Sequence, residues 1–80
     1  MNYKYNQELC KQFGLKVRSV RQSKELSMRQ LALEADMEYS QLSKIERGVI
    51  NTTISSANAL AEALGVHIKE LFDFKAVKKK

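Results

Sequence analysis

Proline and tryptophan are absent from this 80-residue chain, glycine occurs three times, and cysteine and histidine occur once each. With so few residues that interrupt regular structure, and no alternating apolar–polar run long enough for a strand, the chain is expected to be all helical. Cys10 has no second cysteine to bond with, and no Cys/His cluster surrounds it, so neither a disulfide nor a metal site is expected. A small, half-buried side chain on the first helix is the expected role. His67 follows Gly65-Val66 and precedes Ile68-Lys69-Glu70. That places it at the entry to a final helix, with Glu70 at the third helical position, rather than as a catalytic base. Paired carboxylates, a nucleophile with a partnered base and a phosphate-binding loop are all missing, which excludes the common enzyme designs. No catalytic residue, cofactor, metal or small-molecule ligand is therefore expected. No apolar run reaches about 18 residues, and the N-terminal MNYKYNQELCKQ lacks the apolar core of a signal peptide. The expectation is a soluble, cytoplasmic protein with no membrane contact.

What remains is a chain 44% hydrophobic with a formal net charge of +5, enough apolar content for one folded domain. The charge is uneven. Residues 1–29 carry seven basic side chains (Lys4, Lys11, Lys16, Arg18, Arg21, Lys24, Arg29) against Glu8 and Glu25. Residues 30–70 carry Lys44, Arg47 and Lys69 against six acids, and the last ten return to +3 through Lys75 and Lys78–Lys80. A basic first helix and a basic tail fit a polyanionic partner, although a solvated helix face and a frayed tail would leave the same pattern.

Apolar spacing supplies the elements. From about Gln7 to Lys24, Leu9, Phe13, Val17 and Val20 form one helical stripe, within which Gly14 costs about 1 kcal/mol of helix propensity. That cost points either to a packing reason or to a break near residue 13. Ser27 with Gln30 forms a capping box ahead of Leu31, Ala32 and Ala35. A turn at Asp36-Met37 leads to a second short helix with Leu42 and Ile45 inward, ending at Gly48. Thr53 or Ser55 caps the next helix, which runs to about Leu64 and is expected to bury Ile54, Ala57, Leu60, Ala61 and Leu64; Gly65 terminates it. A last short helix from Ile68 to about Asp73 makes five. Helices as short as those around the turn are marginal alone, so they require the others as scaffold.

Read in order, Val17-Arg18-x-Val20-Arg21, Leu26-Ser27-x-x-Gln30-Leu31-Ala32, Leu42-Ser43-x-Ile45-Glu46-Arg47-Gly48, Asn51-x-x-Ile54, Ala61-x-Ala63-Leu64-Gly65-Val66 and Glu70-Leu71-Phe72 resemble the Cro/C1-type, lambda-repressor-like (XRE) helix-turn-helix family. The resemblance covers about three quarters of the chain in correct order. It implies a five-helix domain over 13–74, preceded by an extension and the start of the first helix over 1–12 and followed by a basic tail over 75–80. It also implies that the second and third helices form a DNA-binding motif.

With Leu42 and Ile45 inward, the 100° step per residue turns Ser40, Ser43, Lys44 and Arg47 outward, with Tyr39 and Gln41 on the flanks. Recognition helices of this kind read bases mainly through their N-terminal residues, which selects Tyr39, Ser40, Ser43 and Lys44 as base readers. The phosphate-contact set is Ser27, Met28, Arg29, Gln41, Arg47, Asn51 and Lys24. Met28 occupies a position where the family often has a glutamine that contacts the DNA backbone, and Asp36 stands where the family usually has glycine in the turn. By resemblance, Arg21 pairs with Glu46 and ties the first helix to the third.

The resemblance implies double-stranded DNA with a palindromic operator as partner and a homodimer spanning half-sites about 34 Å apart. Ile68, Leu71, Phe72 and Phe74 are the expected dimer surface, with a smaller contribution from Tyr3 and Tyr5. Restriction-modification controllers, phage or mobile-element repressors and antitoxin-like regulators fit equally well at this level. A protein-interaction module borrowing the fold is the alternative class.

Overall fold

The computed structural model describes residues 6–75. Helix α1 spans Gln7–Ser23, α2 Met28–Glu34, α3 Tyr39–Arg47 and α4 Ile54–Leu64, followed by a 3-10 segment, Ile68–Phe72. Among the described residues every regular element is helical.

Side-chain caps start α1, α2 and α4, and glycines end α3 and α4. Asn6 caps α1, its Oδ1 accepting the Leu9 N–H at 2.9 Å. Ser27 Oγ accepts the Gln30 N–H at 3.0 Å while Gln30 Oε1 accepts the Ser27 N–H at 2.8 Å, so the capping box of α2 is complete. Thr53 rather than Ser55 caps α4, its Oγ1 accepting the Ser56 N–H at 3.0 Å. Gly48 (φ 71°) and Gly65 (φ 73°) end α3 and α4 in the left-handed conformation, which glycine adopts without a Cβ penalty.

The fifth element corrects the sequence expectation. Ile68–Phe72 is a 3-10 helix with four α-helices before it, not a fifth α-helix. Five residues are too few to build an i→i+4 ladder, and the i→i+3 bond from the Glu70 N–H to the His67 carbonyl at 2.9 Å closes the tighter turn instead. That turn drives Leu71 into the core.

The core joins Phe13 and Val17 of α1 with Leu31 of α2, Leu42 and Ile45 of α3, Leu60 and Leu64 of α4, and Leu71, all close-packed and buried. Two expected core positions are not buried. Ile54 is 82% exposed because it is the first residue of α4, beyond the layers that cover Ala57, Leu60, Ala61 and Leu64. Leu9 lies at the exposed end of its stripe for the same reason. Gly14 does not break α1, and its packing reason is direct. A Cβ built there would lie 2.5 Å from the Glu46 carbonyl oxygen and closer still to that of Ile45. Helices α1 and α3 therefore touch main chain to main chain.

No helix among the described residues is long and apolar enough to cross a membrane. Tyr3, Tyr5, Val77 and Lys78–Lys80 lie outside the described residues, and so do parts of the expected extension over 1–12 and tail over 75–80.

Candidate nucleic-acid interface

Helices α2 and α3 are joined by a turn in which Asp36 takes φ 56°, the left-handed conformation that aspartate tolerates better than most residues. The Met37 N–H donates to the Ala32 carbonyl at 2.9 Å, which satisfies a carbonyl at the end of α2 as the chain reverses into α3. A second left-handed residue, Glu25 (φ 59°), stands between α1 and α2. No glycine marks that position, so the sequence carried no signal for it.

One side of α3 is anchored and the other is free. Leu42 and Ile45 are buried, and Glu46 beside them is 7% exposed. Arg21 of α1, 8% exposed, donates from Nε to Glu46 Oε2 at 2.7 Å and from Nη2 to Glu46 Oε1 at 3.1 Å. Its Nη1 donates to the Leu26 carbonyl at 2.8 Å, a partner that sequence spacing gave no reason to expect. The guanidinium thereby joins α1, the α1–α2 loop and α3 through a bidentate pair and one further bond. No described buried side-chain polar atom is left without a partner, so the cost of burying these charges is met by hydrogen bonds.

On the free side, Tyr39, Ser40, Lys44 and Arg47 are exposed, whereas Gln41 and Ser43 are half-buried. Ser43 Oγ accepts from Arg47 Nε at 3.2 Å, and Gln41 Nε2 donates to Ser56 Oγ of α4 at 3.4 Å. Both residues thus have neighbours of their own. Arg29 of α2 lies over the Tyr39 ring at 5.4 Å from its centroid, a cation–π contact that bridges the two helices of the turn. Positions 29 and 39 share no helical periodicity, and only the reversal at Asp36 brings them together.

At the start of α2, Ser27, Arg29 and the half-buried Met28 form one edge of this surface, with exposed Lys24 just before it. The N–H groups of Met28 and Arg29 belong to the first helical turn and have no acceptor within the helix. Asn51, exposed in the loop after α3, stands beside α1, with Cys10 Sγ 3.9 Å from its Oδ1.

The expected dimer residues divide. Leu71 is 0% exposed and belongs to the core of its own chain, so it is removed from any dimer surface. The 3-10 turn rotates it inward against α1 and α4. Phe72 is 48% exposed and stacks on Phe13 at 4.9 Å between centroids, with Phe74 following at 6.4 Å from Phe72. Ile68 and Phe74 are half-buried.

Four short helices with a left-handed reversal between the second and third, and a polar outer face on the third, define a helix-turn-helix domain. Residues 17–71 match the helix-turn-helix family model HTH_3, and the chain belongs to that family. It is 41% identical over 66 residues to the control protein C.BamHI of Bacillus amyloliquefaciens, covering 81% of this chain and 82% of that protein. The immunity repressor protein of Bacillus phage phi105 is 33% identical over 58 residues, which span 72% of this chain but 40% of the repressor. Among solved structures, the restriction-modification controller protein C.AhdI from Aeromonas hydrophila superposes with a TM-score of 0.77 at 33% identity, over 79% of this chain and 96% of the controller.

Proposed function

We propose that this chain is a DNA-binding transcriptional regulator that recognises a specific duplex sequence as a homodimer, acting as a small controller of the restriction-modification type. The observation that carries the proposal is the asymmetry of α3. Its inner face is fixed to α1 by the Arg21–Glu46 pair, and its outer face presents hydroxyls, a phenol and cations, group types suited to reading a major groove. The controller setting is favoured because the match to C.BamHI and C.AhdI runs over most of their lengths, whereas the phage repressor extends well beyond the matched part. On this reading, and with a bacterial relative such as the control protein C.BamHI, the protein works in the cytoplasm, where bacterial DNA lies.

Tyr39, Ser40 and Lys44 carry the base reading, with Ser43 contributing from the side. Lys44 donates to guanine O6 or N7, and Tyr39, steadied by Arg29, packs on a thymine methyl. Lys24, Ser27, Arg29 and the N–H groups at Met28 and Arg29 engage one strand's phosphates, and Arg47, Asn51 and Gln41 those at the other edge of α3. Met28 gives no side-chain hydrogen bond in this role, so the contact at the start of α2 falls to the backbone. The second copy docks on the apolar surface where Phe72 meets exposed Leu9 and Ile54, with Phe74 beside Phe72 and half-buried Ile68 in the same segment.

Selection of bound sequences from a random duplex pool tests the whole proposal. The expected product is an enriched palindrome whose half-sites repeat at about one helical turn. A pool that stays unenriched, with binding that is weak and indifferent to sequence, would instead identify a protein-interaction module.

A further inference from the structure

Beside the recognition helix lies a groove whose cations stand outside the helix-turn-helix itself. Its walls are Lys11, Leu15 and Arg18 of α1 and Ser43, Glu46 and Arg47 of α3, with Met28 at the end nearest the start of α2. Lys11, Leu15 and Arg18 recur at i, i+4 and i+7, so they form one stripe along α1. The side chains of Lys11 and Arg18 are exposed and make no ion pair or hydrogen bond among the described residues. The groove's one acid, Glu46, has both carboxylate oxygens occupied by Arg21. Arg47 commits its Nε to Ser43, which leaves the rest of its guanidinium available. The groove therefore presents three uncompensated cations and no accessible anion.

We infer that this groove is a second phosphate-binding track, in which Lys11 and Arg18 of α1 hold the DNA strand that leaves the start of α2 and runs alongside α3. The inference rests on the proposed duplex-DNA binding and adds residues outside the helix-turn-helix to its footprint. Geometry supports the path. Met28 borders both the groove and the start of α2, so the groove opens next to the point where the start of α2 would hold a strand. Lys11 and Arg18 are seven residues apart, about 10 Å along the helix, and successive phosphates of one strand advance about 3.4 Å along the duplex axis. A strand running along α1 would therefore meet the two cations with phosphates a few nucleotides apart. Leu15, 55% exposed between them, has no polar atom and lies against sugar rather than phosphate.

The test is the salt dependence of binding by the full chain to the duplex selected by the unmodified protein. Comparison of the unmodified protein with K11A, R18A and the double variant isolates the α1 cations. Removing one phosphate-bound cation lowers the slope of log affinity against log salt by about 0.9. Each bound dimer carries every substitution twice, so between about 50 and 200 mM salt each single variant should lose affinity about 12-fold less steeply, and the double variant about 150-fold. Base preference and melting temperature should be unchanged. An unaltered slope in variants that still bind the selected duplex would overturn the track while leaving the proposed function standing. A change in base preference would overturn the assignment to the DNA backbone. Failure of the unmodified protein to enrich any sequence would remove the proposed function and the track together.

Discussion

Gly14→Ala sets two well-known effects against each other, and the structure decides the sign. In an isolated helix the change would stabilise by about 1 kcal/mol, because alanine is the better helix former. Here the new methyl would stand 2.5 Å from the Glu46 carbonyl oxygen, against 3.4 Å or more for ordinary contact, so α1 and α3 must part by roughly 1 Å. The obstructing atoms are main chain of a helix and cannot rotate away as a side chain would. Overpacking a tight site costs about 1–3 kcal/mol, and a rigid backbone obstacle places this one at the upper end. After the propensity gain is subtracted, the net loss is about 2 kcal/mol. At about 4–8 °C per kcal/mol for a domain of this size, the melting temperature should fall by roughly 8–16 °C. Thermal unfolding followed by circular dichroism reads it directly. Gly65→Ala serves as control, because no atom lies within 4 Å of its Cβ and only the left-handed φ of 73° opposes the change. A Gly14→Ala protein as stable as the parent, or more so, would refute the close approach of α1 to α3.

Arg21→Ala would leave Glu46 buried without its partner and free the Leu26 carbonyl, so a stability loss of about 3–5 kcal/mol is expected in urea denaturation. Arg21→Lys should recover only part of it, since a lysine cannot make the bidentate pair; a fully stable lysine variant would contradict that geometry. Asp36→Gly and Glu25→Gly relieve left-handed backbone at φ 56° and 59°, and each should be neutral or stabilising by up to about 1 kcal/mol. A clear loss at either position would mean the turn is held by its side chain. Lys44→Ala and Ser40→Ala should each weaken binding to the selected operator by roughly 1–3 kcal/mol while leaving nonspecific binding nearly unchanged, as measured by competition titration; an equal drop in both would reassign the residue to phosphate.

Helix positions were legible in the sequence because their signals are local. The Ser27/Gln30 box, Gly48, Gly65 and the stripe of Phe13, Val17 and Val20 each depend on residues within about one or two turns. Leu71 and Ile54 depart from the expected pattern for a related reason. Periodicity says which side of a helix is apolar, but not where the opposing layer stops or whether a five-residue segment winds as 3-10. An apolar residue this near the C-terminal end fits a dimer surface only if the core stops short of it, and the core extends to Leu71. The Arg29–Tyr39 contact and the Leu26 carbonyl bound to Arg21 depend on how loops fold back, which no spacing rule encodes.

The contacts of α1 also bear on how α3 could read DNA. Along α1, a Cβ on Gly48 would meet the Lys11 backbone at 2.5 Å, Gly14 meets the carbonyls of residues 45 and 46, and Arg21 grips Glu46. The first two leave no slack between the helix axes, and the third fixes rotation, because a planar guanidinium holds a carboxylate in one orientation. A recognition helix of nine residues has little stability of its own, so its angle is set by these contacts rather than by its own sequence. On the proposed function, specificity rests on two separable sets of residues: Tyr39, Ser40 and Lys44 would supply chemistry for the base edges, while Gly14, Arg21, Glu46 and Gly48 set where α3 presents it. Changes in the first set should alter which bases are preferred. Changes in the second should lower affinity for every sequence and broaden preference at several positions at once, because the whole helix shifts as a unit.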